Sequence, residues 1–361
     1  MAEKKERSSN LELLRIISMI MIILAHYAGH GGLIDNAGTV SGHLLGLFMK
    51  TGGKLGVTCF VLISTYFLCE QRFRLEALIK TVLQTMLYAF LILGILFLTG
   101  QKVGIGAIVK TIVPLQYSLY WFVTAYAGMY LAQPLLKKCT EHLTEKSSGI
   151  ILITWFIVLS IMPVIVGNPD FIVNTFVVFC FLFFLGNHIR KFGIRPAALK
   201  KYALPVSIIA AAMIPLLTFV MEIVLKRAGL FERASSRIFI LYDLNSPLMI
   251  IAGTELFLFF SGLKMRTSKF INWFALGMFG VYLIHDNGYF RKFLWHDLLR
   301  IDSVYQSNVL IIIGHAAVCT VIILAAATLV ECIRRPLEKL IFKSEALRNL
   351  CSRFNSVYAD L

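Results

Sequence analysis

Ten runs of about 20 mostly apolar residues follow one another along the chain, joined by short stretches in which lysine and arginine collect. Few folds accept such a pattern. Hydrocarbon offers no hydrogen bonds, so runs of this length must satisfy their backbone internally as helices. The candidate spans are 11–29, 52–70, 78–99, 117–136, 149–167, 171–187, 203–225, 238–262, 271–290 and 308–333. With 58% apolar residues, 15% charged residues and a mean hydropathy of +0.77, the 361-residue chain lies outside the range of soluble globular domains. The expectation is an all-α polytopic membrane protein with about ten transmembrane helices.

An even number of spans puts both termini on one side. Assigning that side to the cytoplasm gathers roughly two thirds of the 35 basic residues there, among them Lys4, Lys5, Arg7, Arg72, Arg74 and the cluster from Arg190 to Lys201. Cytoplasmic termini follow, in the inner or plasma membrane of the cell. The net charge of +15 is then read as topology signal and anionic-lipid contact, with no nucleic-acid partner. Two outer connections break the bias: Lys226 to Arg237, and the segment carrying Arg291, Lys292 and Arg300. Either they line a site for an anionic partner, the reading favoured, or one span is misplaced. The connections 30–51, 225–237 and 291–307 are also long, as loops that line or cover something are. Residues 1–333 are taken as one membrane domain and 334–361 as a basic amphipathic cytoplasmic helix with Leu337, Leu340, Ile341, Leu347 and Leu350 as its apolar stripe. The charged N-terminus lacks a cleavage site and is expected to stay on as the first span. The seven cysteines show no metal or paired spacing and read as free.

Ionisable groups inside a bilayer mark function by default. In the first span, Glu12 precedes Arg15 by three residues, and His26 follows Arg15 by eleven. At about 100° per residue Arg15 and His26 share a helix face, about 16 Å apart along the axis. Arg15 is either a snorkelling cation held by Glu12 or a fixed cation for a ligand's phosphate or carboxylate. His26 is either a structural imidazole or a base able to take a proton from a hydroxyl near neutral pH. His26 and His30 have the spacing of a metal pair, but no third ligand of matching spacing accompanies them, and no metal is expected. Tyr120, Trp121 and Tyr126 are read as a substrate-facing wall, although an interfacial belt would also place Tyr120 and Trp121. His285 is put in the site and Asp286 is the weaker candidate, since helix neighbours point about 100° apart. Glu255 and His315 are read as structural.

With these motifs assembled, the chain resembles the acyltransferase-3 family of integral-membrane acyltransferases. The resemblance rests on LELLR from Leu11 to Arg15 with ten residues between Arg15 and His26, on GVTCFVLISTYFL at 56–68, where Ser64-Thr65 replaces the usual Ser-Gly, on LYWFVTAYAGMYLAQPLL, on VYLIH and on VECIRRPLEKL at 330–340. It implies transfer of an acyl group, usually acetyl, from cytoplasmic acyl-CoA to a hydroxyl of a cell-envelope glycan or a small acceptor. An extra extracytoplasmic domain, carried by some relatives, is not expected. On this reading Arg15, held by Glu12, meets the donor's phosphates, helped by Arg72 and Arg74, and His26 is the base. Tyr120, Trp121, Tyr126 and His285 face the substrate. Direct transfer is preferred to an acyl-enzyme. A homodimer is left open, and the alternative class is a proton-coupled secondary transporter.

Overall fold

The computed structural model describes residues 7–168, 174–193 and 197–359, so Lys4, Lys5 and Arg195 lie outside the described residues. The side chains of Arg233 and Leu347 do so too. Among the described residues the chain is helical without strands. The helices are α1 (Ser9–Gly29), α2 (Leu33–Asn36), α3 (Val40–Leu68), α4 (Leu75–Leu98), α5 (Ile105–Ile112), α6 (Trp121–Leu131), α7 (Gln133–Glu141) and α8 (Glu145–Val166). Then come α9 (Thr175–Phe192), α10 (Ala203–Arg227), α11 (Phe231–Ile238), α12 (Pro247–Gly262), α13 (Lys269–Ala275), α14 (Met278–His285), α15 (Val309–Ile341) and α16 (Glu345–Ala359). Among the described residues eight stretches are long and apolar enough to cross a membrane: α1, α3, α4, α8, α9, α10, α15 and Phe239–Gly262, which ends in α12. The expected spans 117–136 and 271–290 are the two missing from that set. Each is interrupted, as α6 and α7 around Ala132 and as α13 and α14 around Leu276 and Gly277.

The helices sort into an inner and an outer set. In α3 67% of the most apolar window is buried, against 17% in α8. α3 packs on α1, α9 and α12, while α4, α8, α10 and α15 turn large apolar side chains outward, as lipid-facing helices do. α1 approaches α3 closely because a Cβ on Gly56 would lie 2.5 Å from the Ser18 carbonyl oxygen. Small residues at a crossing of this kind replace the hydrophobic drive that lipid removes.

Two boundaries differ from the sequence reading. α3 starts at Val40, not near 52, so the connection after α1 is short. Thr39 caps it by accepting from Gly42 N at 3.0 Å, and the helix runs on through Lys50, Gly52, Gly53 and Lys54, residues that hydropathy scores as loop. The last span continues to Ile341 through Pro336, so the boundary drawn at 333 falls within α15. A proline costs an internal helix about one hydrogen bond, and here a cluster of polar side chains surrounds the preceding turn. All seven cysteines are free.

Those side chains centre on Glu331, 1% exposed. It accepts from Tyr88 Oη at 2.7 Å, Gln84 Nε2 at 2.9 Å, Arg334 Nε at 2.7 Å and Arg335 Nε at 3.0 Å. Arg335 in turn donates to the Trp273 carbonyl at 3.3 Å, near the end of α13. One carboxylate thus ties α4, α15 and the interrupted span together. Glu331→Ala leaves Arg334 buried without its main partner and is expected to destabilise the protein by about 3–5 kcal/mol, read as unfolding in mixed micelles.

Candidate active site

At the N-terminal end of α1, Glu12 Oε2 lies 3.4 Å from Arg15 Nη1 and Glu12 Oε1 lies 3.2 Å from Arg7 Nη1. The i, i+3 pairing expected from sequence forms, and Arg7 joins it. These residues line a cavity of about 830 Å³ walled by Phe60, Phe122, Tyr126 and Phe279. That volume lies within the range of small-molecule sites, about 300–1,000 Å³. Arg190 also lines it, but its guanidinium is held by both oxygens of Glu70 at 2.7 Å and by Tyr66 Oη at 3.1 Å. Arg15 keeps a buried Nε without a partner, so of the two it has donor capacity to spare.

At the other end of α1 the central group is Asp286, 1% exposed. Its Oδ1 accepts from Arg291 Nη2 at 2.6 Å and lies 3.3 Å from His30 Nε2 and 3.8 Å from His26 Nε2. The His26 ring is 4.6 Å from that of His30 and 5.0 Å from that of His285. His285, fully buried, donates from Nδ1 to the Val281 carbonyl at 2.6 Å, which leaves the lone pair of a neutral ring on Nε2, buried and unpartnered. His26 Nδ1 and Asp286 Oδ2 are likewise buried without a hydrogen-bond partner. Polar atoms left so in a bilayer interior mark a place where reactants or water complete the bonding.

Local sequence explains how adjacent His285 and Asp286 both reach this point. α14 ends at His285, and Asp286 leaves the helical region at φ −105°. Asn287 then turns the chain, its Oδ1 accepting from Tyr289 N at 2.9 Å. Tyr120 pins the turn, donating to the Leu283 carbonyl at 2.8 Å and accepting from Asn287 Nδ2 at 2.8 Å. After Arg291 the chain makes a π-helical turn, Phe293–Leu298, which buries Trp295 against Tyr27 and His285. Turns of this type recur at functional sites.

The residues picked from sequence fall into three groups. Glu12 and Arg15 line the cavity, while His26 and His285 stand together at the other end of α1. Tyr126 lines the Arg15 cavity, stacked on Phe122, so it belongs with Glu12 and Arg15 and not beside His285. Tyr120 is corrected to a positioning residue, because the turn takes up its hydroxyl and 2% of it is exposed. Trp121 carries Lys54 Nζ 3.7 Å above its ring, which ties α6 to α3. Arg72 and Arg74 are corrected as well: both are exposed and neither lines the cavity. The backbone of Arg74 serves Tyr130, whose hydroxyl donates to the Arg74 carbonyl at 3.1 Å. His315 is satisfied by Tyr27 Oη at 3.0 Å, as packing required.

Sequence reasoning ranks Asp286 below His285, takes Arg291 only as one of several basic residues lining an outer site, and gives His30 no role beside an aspartate. The pair Asn287-Gly288 was the available signal, because a turn there removes the helical angle that kept Asp286 apart from His285. His26, His30 and Asp286 also bring ligand atoms within 4.8 Å of one another, the spread of a metal site. Arg291 occupies Asp286 Oδ1 in this arrangement and supplies the positive charge a cation would bring.

A family model described as an acyltransferase domain matches residues 8–330, most of the chain. No curated protein and no solved structure gives a match. The match runs from before α1 into α15 and contains both ends of the polar face of α1. The chain belongs to the acyltransferase-3 family and is a multi-pass membrane acyltransferase.

Proposed function

We propose that the protein transfers an acyl group, acetyl in the first instance, from a cytoplasmic acyl-CoA to a hydroxyl of an extracytoplasmic acceptor such as a cell-envelope glycan. The observation that carries this reading is the division of one helix face into an Arg15 cavity at one end and a His26–Asp286 cluster at the other. Both termini are cytoplasmic on this reading, so the Arg15 cavity opens toward the donor. Arg15, with Arg7 beside it, binds the donor's phosphates, and the aromatic wall takes its uncharged arm. A proton-relay transporter is set aside, since family membership accounts for the buried Arg and His.

The acceptor's O–H gives its proton to the His26 ring as oxygen attacks the thioester carbon. Asp286, 3.8 Å from Nε2, offsets the charge of the imidazolium that forms. The tetrahedral centre then expels the thiolate, the C–S bond breaks, and the imidazolium returns the proton to sulfur. His30 and Arg291 keep Asp286 ionised and in place, so Asp286 acts through His26 as a positioning residue.

Labelled acetyl-CoA incubated with the purified protein and envelope glycan tests this scheme. His26→Ala is expected to lower transfer about 10²–10⁴-fold with donor binding retained. Donor binding by wild type without transfer of label, together with proton-coupled uptake in vesicles, refutes the enzyme. Arg15→Ala is expected to raise the KM for acyl-CoA at least about tenfold and to leave kcat near wild type, the split that removal of a uniform binding contact gives. Asp286→Asn is expected to lower kcat about 10²-fold with little change in donor KM, and Asp286→Glu to recover part of it. A purely structural role would instead lower the folded yield of both Asp286 variants alike.

A further inference from the structure

Beside the His26 cluster, His30, Gly288, Arg291, Lys292 and His296 line a recess of about 490 Å³. Lys292 also lines an adjoining recess of about 590 Å³ with Lys102, Lys110 and Asp297. The two recesses share a wall and carry four lysine or arginine side chains. The carboxylates nearby are few. Asp286 is taken by Arg291, and Lys102, Lys110 and Lys292 form no ion pair among the described residues. His296 Nε2 lies 3.3 Å from the His30 carbonyl, joining the wall of the 490 Å³ recess to the cluster. Arg291 itself bridges inside and outside: Nη2 holds Asp286, Nε is buried without a partner, and 35% of the side chain is exposed.

Unpaired lysines at this end of α1 run against the positive-inside bias of the chain as a whole, so that bias does not account for them. Three ammonium groups converging on a mouth raise the local concentration of anions and steer them inward. Neutral hydroxyl compounds gain nothing from them. We infer that the two recesses form the acceptor's vestibule, and that the acceptor carries a phosphate or carboxylate close to the hydroxyl that is acylated. The anion rests on Lys102, Lys110 and Lys292, with the hydroxyl directed past His30 to His26. This assignment rests on the transfer reading above, since it takes His26 to be the group the hydroxyl meets.

The test uses the full-length protein in phosphatidylcholine nanodiscs at low salt, with glucuronate, glucose 6-phosphate and glucose as labelled probes. Binding is measured without donor, then acylation with acetyl-CoA. Both anions are expected to bind at least about tenfold more tightly than glucose, with the advantage fading as salt rises. The order of the two anions distinguishes a carboxylate acceptor from a phosphate one. In the triple variant Lys102→Gln, Lys110→Gln, Lys292→Gln the anion-to-glucose affinity ratio is expected to fall about tenfold, whereas Lys264→Gln, at the other end of α1, leaves the ratio unchanged. Equal binding of the three probes by wild type overturns the inference, as does an unchanged ratio in the triple variant. Loss of anion binding when phosphatidylglycerol is added assigns the lysines to a lipid headgroup and overturns it too. Selective anion binding without any acylation leaves the vestibule standing and overturns the transfer reading; acylation of glucose with no preference for anions does the reverse.

Discussion

A single carboxylate, that of Asp286, sets the terms for the rest of the molecule. An ionised carboxylate at 1% exposure is costly unless opposite charge and hydrogen bonds surround it. Arg291 supplies the charge at 2.6 Å, and His30 adds a ring nitrogen at 3.3 Å. Meeting these partners requires that α14 stop at His285 and that the chain turn at once. Tyr120 and Asn287 fix that turn, and the π-helical turn with Trp295 packs the returning strand of chain onto Tyr27. The irregular backbone between Asp286 and Leu298 is therefore a consequence of keeping one charge buried beside His26.

The same accounting explains why the polar face of α1 works as two stations. Arg15 and His26 lie about 16 Å apart on one rigid helix, too far for one small group to touch both; on the proposed transfer reading a long donor lies between them. Glu12 sits at the first station and Asp286 at the second, each carboxylate beside a basic group. Yet the carboxylates come from different places. Glu12 is local, three residues from Arg15, whereas Asp286 arrives from the far end of the chain.

That difference marks what could be read from the sequence. The fold class and most spans followed from apolar run length, and the Glu12, Arg15 and His26 face followed from helical spacing. Each depends on residues close together along the chain. Asp286, Arg291 and His30 converge through tertiary packing, and no spacing rule joins residue 26 to residue 286. Tyr120 shows the converse error. It lies in an aromatic cluster that suggested a substrate wall, while its hydroxyl serves a backbone turn, a use that no composition reveals. Arg72 and Arg74 were plausible by charge alone, and exposure removes them.

The two spans that hydropathy drew as continuous helices, 117–136 and 271–290, are the interrupted ones, and they carry Tyr120, Trp121, His285 and Asp286. Continuous helices satisfy their own backbone and suit the lipid-facing positions of α4, α8, α10 and α15. Interrupted backbone is tolerable at such depth only where protein supplies the missing partners. At the first, the side chain of Gln133 beside the break ties it to the end of α3, donating to the Leu68 and Gln71 carbonyls at 2.8 and 2.9 Å. Arg335 does so for the second, donating to the Trp273 carbonyl at 3.3 Å. The bond through Arg335 runs back to Glu331, so the network that steadies α15 also holds the start of the span that ends in Asp286. Hydropathy measures fitness for lipid and is blind to these breaks, and the breaks are what free a histidine and the next aspartate to reach the same histidine on α1.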